Sequence, residues 1–288
     1  MLSSSWQGID ISPGSEVSYY EVALGTSIGD SNTVNWYSIN NAYTLNMLGD
    51  SIYLNDGSSY YVSVRAIDHA GNYSDVLIGD GILIDLTPPL LGTIRDGLDM
   101  DIDFTQSTTT LSANWTGFSD ALSGISGYEI AIGTTSGGTE VLTWTNVGNV
   151  TTYTKTDLTL NQYTPYYIST RAQDAAGNYS SIATANGVII DLEPAIASIV
   201  IDSTTYNTTE WDAVTAIKGT AADISGGSGL AMVEINIHRS SDNYYWTGTE
   251  WSATLQWLGV SGTDTWNYST ITAANLTDGA TYTVNSRG

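Results

Sequence analysis

Residues 60–74 read YYVSVRAIDHAGNYS, and residues 166–180 read YYISTRAQDAAGNYS. Alternation puts Tyr60, Val62, Val64 and Ala66 on one face and Tyr61, Ser63 and Arg65 on the other. That is the period of a β-strand with one face on a core and the other wet. The turns before these stretches match too. Leu54-Asn-Asp-Gly57-Ser-Ser-Tyr60 aligns with Leu160-Asn-Gln-Tyr-Thr-Pro-Tyr166 and again with Leu276-Thr-Asp-Gly279-Ala-Thr-Tyr282. Upstream, Trp6-Gln-Gly8 matches Trp115-Thr-Gly117, Tyr20-Glu21-Val-Ala-Leu-Gly25 matches Tyr128-Glu129-Ile-Ala-Ile-Gly133, and Trp36 matches Trp144. One domain type is therefore used twice, and a third unit shares its closing strand but has a different middle.

The remaining runs, such as YEVAL, YEIAI and VEINI, are short, alternating and bounded by Gly, Asp, Asn and Ser, and no segment shows a convincing amphipathic helical period. The chain reads as all-β. The pattern L-x-x-G-x-x-Y-x-V-x-V-x-A, with a Trp on an early strand, resembles the fibronectin type III fold, in which Tyr60, Tyr166 and Tyr282 take the place of the tyrosine corner. The stretch D-x-A-G-N-x-S (68–74 and 174–180) is similar to a turn common in repeat domains of large bacterial surface proteins. The third unit, with Gly219-Thr-Ala-Ala-Asp223, Ser228-Gly-Leu-Ala-Met-Val-Glu-Ile235 and Tyr245-Trp246-Thr-Gly-Thr-Glu-Trp251, resembles bacterial Ig-like repeats. The resemblance implies tandem Ig-like or fibronectin type III-like β-sandwiches arranged as a rod, in an extracellular surface, adhesin or filament protein.

Ile84-Asp-Leu-Thr-Pro-Pro89 and Ile190-Asp-Leu-Glu-Pro194 read as short, stiff joints, because proline fixes its own φ and restrains the residue before it. The expected domains are 1–87 (a fibronectin type III-like sandwich without strand A), 88–193 (a second such sandwich) and 194–288 (a bacterial Ig-like sandwich without its last strand). The bare edge from Tyr282 to Gly288 is then expected to meet other polypeptide, either a neighbouring copy or a flanking domain of the same polypeptide.

Composition excludes several functions. Seven basic residues against 30 acidic ones give a net charge of −23. Such a chain cannot form the Lys/Arg footprint that nucleic acid requires, and an anionic membrane surface repels it. There is no cysteine, so disulfides, thiolate chemistry and zinc knuckles are absent, and two histidines leave little for imidazole chemistry. The first residues lack a basic region followed by an apolar one, and no run approaches a membrane span. An extracellular location is expected from the repeats, with export directed by sequence outside this chain.

Two places could hold a ligand. Asp99, Asp101 and Asp103 alternate in the densest acidic run, and converging carboxylates suit Ca²⁺, a hard ion that takes six to eight oxygens. The alternative is a solvated loop. Trp246, Trp251 and Trp257 lie in an aromatic-rich stretch of the third unit, where a row of exposed indoles would stack on glycans; the alternative is packing within the unit's own small core. No catalytic residue is identified, and the chain is expected not to be an enzyme. The favoured reading is a stalk, spacer or fibre unit, with a carbohydrate-binding accessory module of a secreted polysaccharide-degrading enzyme as the alternative.

Three of the five arginines, Arg65, Arg171 and Arg287, share one outward position of strand F, and Glu21, Glu129 and Glu234 hold the matching outward position of strand C. Strands C and F are neighbours in this fold, so three salt bridges are expected: Glu21–Arg65, Glu129–Arg171 and Glu234–Arg287.

Overall fold

The computed structural model describes residues 2–8, 14–40, 42–47, 52–200, 205–214 and 216–288. The first unit contains β1 (Leu2–Ser5), β2 (Val17–Gly25), β3 (Val34–Ser38), β4 (Thr44–Met47), β5 (Ser59–Asp68), β6 (Leu77–Ile78) and β7 (Ile82–Leu83). The second contains β8 (Thr93–Asp96), β9 (Phe104–Thr105), β10 (Leu111–Thr116), β11 (Ile125–Gly133), β12 (Leu142–Gly148), β13 (Thr152–Lys155), β14 (Pro165–Asp174), β15 (Ala183–Thr184) and β16 (Val188–Ile190). The third contains β17 (Ile196–Val200), α1 (Thr208–Ala213), β18 (Ile217–Ala222), β19 (Glu234–Arg239), β20 (Tyr244–Trp246), β21 (Trp251–Ser252), β22 (Leu258–Gly259), β23 (Thr265–Tyr268) and β24 (Tyr282–Arg287).

Each unit stacks two sheets. In the second unit, β13-β10-β8 faces β12-β11-β14-β16-β9, with β15 also on β14. In the first, β1-β4 faces β3-β2-β5-β6, with β7 also on β5; in the third, β17-β18-β23 faces β21-β20-β19-β22, with β24 on β19. The inward residues follow from the period of two. Val22, Leu24, Tyr60, Val62 and Val64 fill the first core, Ile130, Ile132, Tyr166 and Ile168 the second, and Ile235, Ile237, Trp246 and Trp266 the third. Gly219 is fixed by this packing, since a Cβ there would stand 2.1 Å from the Trp266 ring.

Two expectations need correction. The outward face of strand F is not wet throughout: Ser63 and Ser169 are fully buried, because each small side chain lies between two large ones, Tyr61 and Arg65 or Tyr167 and Arg171. And the chain does contain a short helix. Asn207 accepts from the amide of Glu210, whose carboxylate takes the Asn207 amide in return, a capping box that holds α1 in place.

Candidate functional site

The three C–F pairs form as expected. Glu21, Glu129 and Glu234 stand directly across from Arg65, Arg171 and Arg287 in the ladders, and the Nη2 to Oε2 distances are 2.6, 2.7 and 2.6 Å. What the sequence did not reveal is the aromatic packing on each arginine, two rings on Arg65 and Arg171 and one on Arg287. The Arg65 guanidinium lies 4.5 Å from the centre of a Trp36 ring and 4.4 Å from that of Tyr73. Arg171 lies 4.6 Å from Trp144 and 4.2 Å from Tyr179. Arg287 lies 4.1 Å from Trp257. The register explains the last ring. Glu21 pairs with Ser38, Glu129 with Asn146 and Glu234 with Gly259, so Trp36, Trp144 and Trp257 each stand two residues before the partner of the glutamate. An exposed ion pair is worth about 0.2–1 kcal/mol, and a stacked guanidinium adds about 0.5–2 kcal/mol as water is excluded.

The tyrosine corner is equally regular. The hydroxyls of Tyr60, Tyr166 and Tyr282 accept from the amides of Asn55, Asn161 and Thr277 at 2.9, 2.8 and 2.6 Å. In the D-x-A-G-N-x-S turn the aspartate binds the asparagine twice: Asp68 accepts from the Asn72 amide and from Asn72 Nδ2, both at 2.8 Å. These bonds, led by the one from Asn72 Nδ2, hold the Asp68 carboxyl down at about 2. Gly71 and Gly177 turn the chain at φ +87° and +98°, where a side chain is strained.

The joints are tied on both sides. Asp56 of the first unit accepts from the Leu86 amide and the Thr87 hydroxyl. Asp85 accepts from the Ser123 amide of the second unit at 3.1 Å, and its carbonyl accepts from Asn178 Nδ2. At the next joint Asp191 accepts from the Ser228 amide at 2.7 Å. Asp85 and Asp191 are each only 6% exposed. The surfaces that touch exchange bulk for space: Gly57 meets Leu122 at the first joint, and Tyr163, in the position equivalent to Gly57, meets Gly226 at the second.

Asp99, Asp101 and Asp103 are exposed. Asp101 Oδ1 accepts from the Asp96 amide, and Asp103 Oδ1 from Asn186 Nδ2. Behind them Asp96 is fully buried; Gly187 donates to its Oδ2, while its Oδ1 has no partner. Burial chiefly, with Asp101 and Asp103 adding to it, pushes its carboxyl up to about 7. Among the described residues, the acidic groups whose oxygens converge to ligand distance are Asp85, Asp120 and Asp174.

The three indoles do not make an exposed row. Trp246 is buried at 2% exposure and donates to the Tyr268 hydroxyl. Trp251 packs on Trp246 and Tyr282 and donates to the Asn275 carbonyl, and Trp257 carries Arg287. Their first role is internal.

No family model matches the chain, and no curated protein matches it. Among solved structures, the FN1–FN3 domains of chicken CNTN1 are 16% identical over 94% of this chain and 83% of that one, with a TM-score of 0.34. The fibronectin(III)-like modules of Clostridium thermocellum CbhA are 15% identical over 60% and 78%, with a TM-score of 0.32. The corner bond and the strand order, rather than these likenesses, decide the architecture. The chain is a tandem of fibronectin type III-like β-sandwiches. In these sandwiches the C–F face carries the repeated glutamate, arginine and tryptophan, and no described helix is long and apolar enough to cross a membrane.

Proposed function

We propose that the chain is a non-catalytic stalk, spacer or fibre unit of an extracellular bacterial surface or filament protein. The observation that carries this reading is the repeated joint, in which a buried aspartate at the end of one sandwich accepts a serine amide from the next. A linker bonded on both sides transmits orientation and resists bending, which a merely flexible tether does not. The cross-strand Glu–Arg pairs guard the register of the strands that bear such a load, and the charge of −23 keeps neighbouring copies apart.

Small-angle scattering of the whole chain tests the reading. A rod of about 110 Å is expected from three sandwiches end to end; a broad distribution of bent shapes would overturn it. A glycan array is the second measurement, and saturable binding there would favour the accessory-module alternative.

A further inference from the structure

The two joints use one turn with different side chains. Ahead of strand F, the amides of Ser58, Thr164 and Ala280 donate to the carbonyls of Asn55, Asn161 and Thr277 at 3.3, 3.3 and 3.1 Å, so the turn is the same in all three sandwiches. Its third residue is left-handed each time: Gly57 at φ +71°, Tyr163 at +57° and Gly279 at +71°. Glycine adopts that conformation at no steric cost and a bulky residue does not. A tyrosine held there points to a role outside the turn itself.

That role lies in the facing loop. At the first joint Gly57 leaves room for Leu122, whose Cδ2 stands 3.5 Å from where a Cβ on Gly57 would lie. At the second joint the Tyr163 ring covers Gly226, with Cδ1 3.7 Å from where a Cβ there would lie. Leu122 and Gly226 belong to the same loop, the one whose serine amide, from Ser123 or Ser228, donates to the buried aspartate of the joint. It runs Asp120-Ala-Leu-Ser123 in the second sandwich and Asp223-Ile-Ser-Gly-Gly-Ser228 in the third. Where the turn is bare, the loop brings a leucine; where the turn brings a ring, the loop is glycine. A leucine set against Tyr163 would clash, and a glycine set against Gly57 would leave a void, so each pairing excludes the other. The residue before the key changes with it. Asp56 holds the linker through the Leu86 amide and the Thr87 hydroxyl, whereas Gln162 stands in its place in the second sandwich and its buried Nε2 has no hydrogen-bond partner.

The third sandwich carries Asp278 and Gly279 at these positions, both exposed, and a Cβ on Gly279 would meet nothing within 4 Å. Both residues repeat the first sandwich, and neither repeats the second. We propose that this end of the third sandwich is a docking surface for one further sandwich of the second kind, with an apolar knob in the place of Leu122 and a linker hydroxyl in the place of Thr87. The order of units in the tandem is then written in one turn residue, bare or bulky, rather than in the strands they share. The proposal rests on the bonded joints that carry the spacer reading, but a rod of three sandwiches with a loosely hinged fourth would refute it and leave that reading intact.

The test lengthens the whole chain. Gly288 stands at the place of Ala66 and Ala172, so residues 67–193 or 173–288 can be joined after it without breaking the register of strand F. The chain has no cysteine, so spin labels on one cysteine introduced in the third sandwich and one in the graft report the distance between them. A narrow distance distribution is expected for the 67–193 graft and a broad one for the 173–288 graft. The double change Asp278→Gln, Gly279→Tyr, which copies Gln162 and Tyr163, is expected to reverse the two. The same rule is read in the parent without a graft, by labels placed across the first joint. There Gly57→Tyr is expected to broaden the distribution, and Leu122→Gly added to it to narrow it again. The proposal is overturned if the 67–193 graft gives a broad distribution, if the two grafts behave alike, or if Gly57→Tyr leaves the first joint as narrow as in the parent.

Discussion

The second and third sandwiches place the same residues at the same register and protect them differently. Arg171 is held between Trp144 and Tyr179 with its side chain 28% exposed; Arg287 rests on Trp257 and is 53% exposed. Tyr166 is buried at 2%, whereas Tyr282 is half-buried. In the second unit β14 carries β15 and β16 on its far side; among the described residues β24 pairs with β19 alone. An ion pair or a corner hydrogen bond is therefore not a fixed quantity attached to a motif. Its worth depends on how much water the neighbouring strand and turn remove, so the third unit should be the less stable sandwich.

The comparison is broken most severely in the core. Tyr166→Ala should cost about 3–5 kcal/mol in the unfolding of the second unit, and Tyr282→Ala about 1–2 kcal/mol in the third, because less surface is lost. Urea unfolding followed by unit-resolved hydrogen exchange checks the difference, and equal costs would deny it.

A pH effect confined to the second unit comes next. The Asp96 carboxyl titrates near 3.8 when unfolded and near 7 when folded. Between those values the folded state holds a proton that the unfolded state has released, so stability falls as pH rises through this window and levels off above it. The loss is up to about 4 kcal/mol. Asp96→Asn should flatten the urea midpoint of the second unit between pH 5 and 8 and leave the third unit's profile unchanged.

The exposed face gives smaller numbers. Arg171→Ala should cost about 1–2 kcal/mol and Arg287→Ala about 0.5 kcal/mol, with the third-unit effect more easily removed by salt. Tyr179→Ala sharpens the comparison by turning the second unit into a copy of the third. It should cost about 0.5–1 kcal/mol and lower the Glu129–Arg171 coupling in a double-mutant cycle to that of Glu234–Arg287. A coupling unchanged by the loss of the ring would show that Tyr179 contributes nothing to the pair.

The repeats made much of this legible. Strand alternation, the corner tyrosines and the three Glu–Arg pairs could be read because they depend on local period and on one assumption, that strands C and F are neighbours. Trp257 could not be aligned with Trp36 and Trp144, since the middle of the third unit has no matching sequence; only its place two residues before Gly259 reveals it. α1 did carry a signal, Asn207-Thr-Thr-Glu210, but six residues are too few to show a helical period. Asp96 looks like any acid of an acidic run until the fold buries it. Asp85, Asp120 and Asp174 belong to three different turns, and no spacing rule joins them.

The few cations have one further property in common. Arg65, Arg95, Lys155, Arg171, Lys218, Arg239 and Arg287 all lie within β-strands, in β5, β8, β13, β14, β18, β19 and β24. A trypsin-like protease cuts after Lys or Arg and needs several residues of unpaired chain, which loops supply and ladders do not. After Arg65, Arg95, Arg171 and Lys218 the cleavable bond lies inside a ladder, and digestion there must wait for a strand to open; Lys155, Arg239 and Arg287 are the last residues of their strands. Against proteases of that specificity, this distribution ties resistance at four of the seven basic residues to the stability of the sheets rather than to the accessibility of the turns.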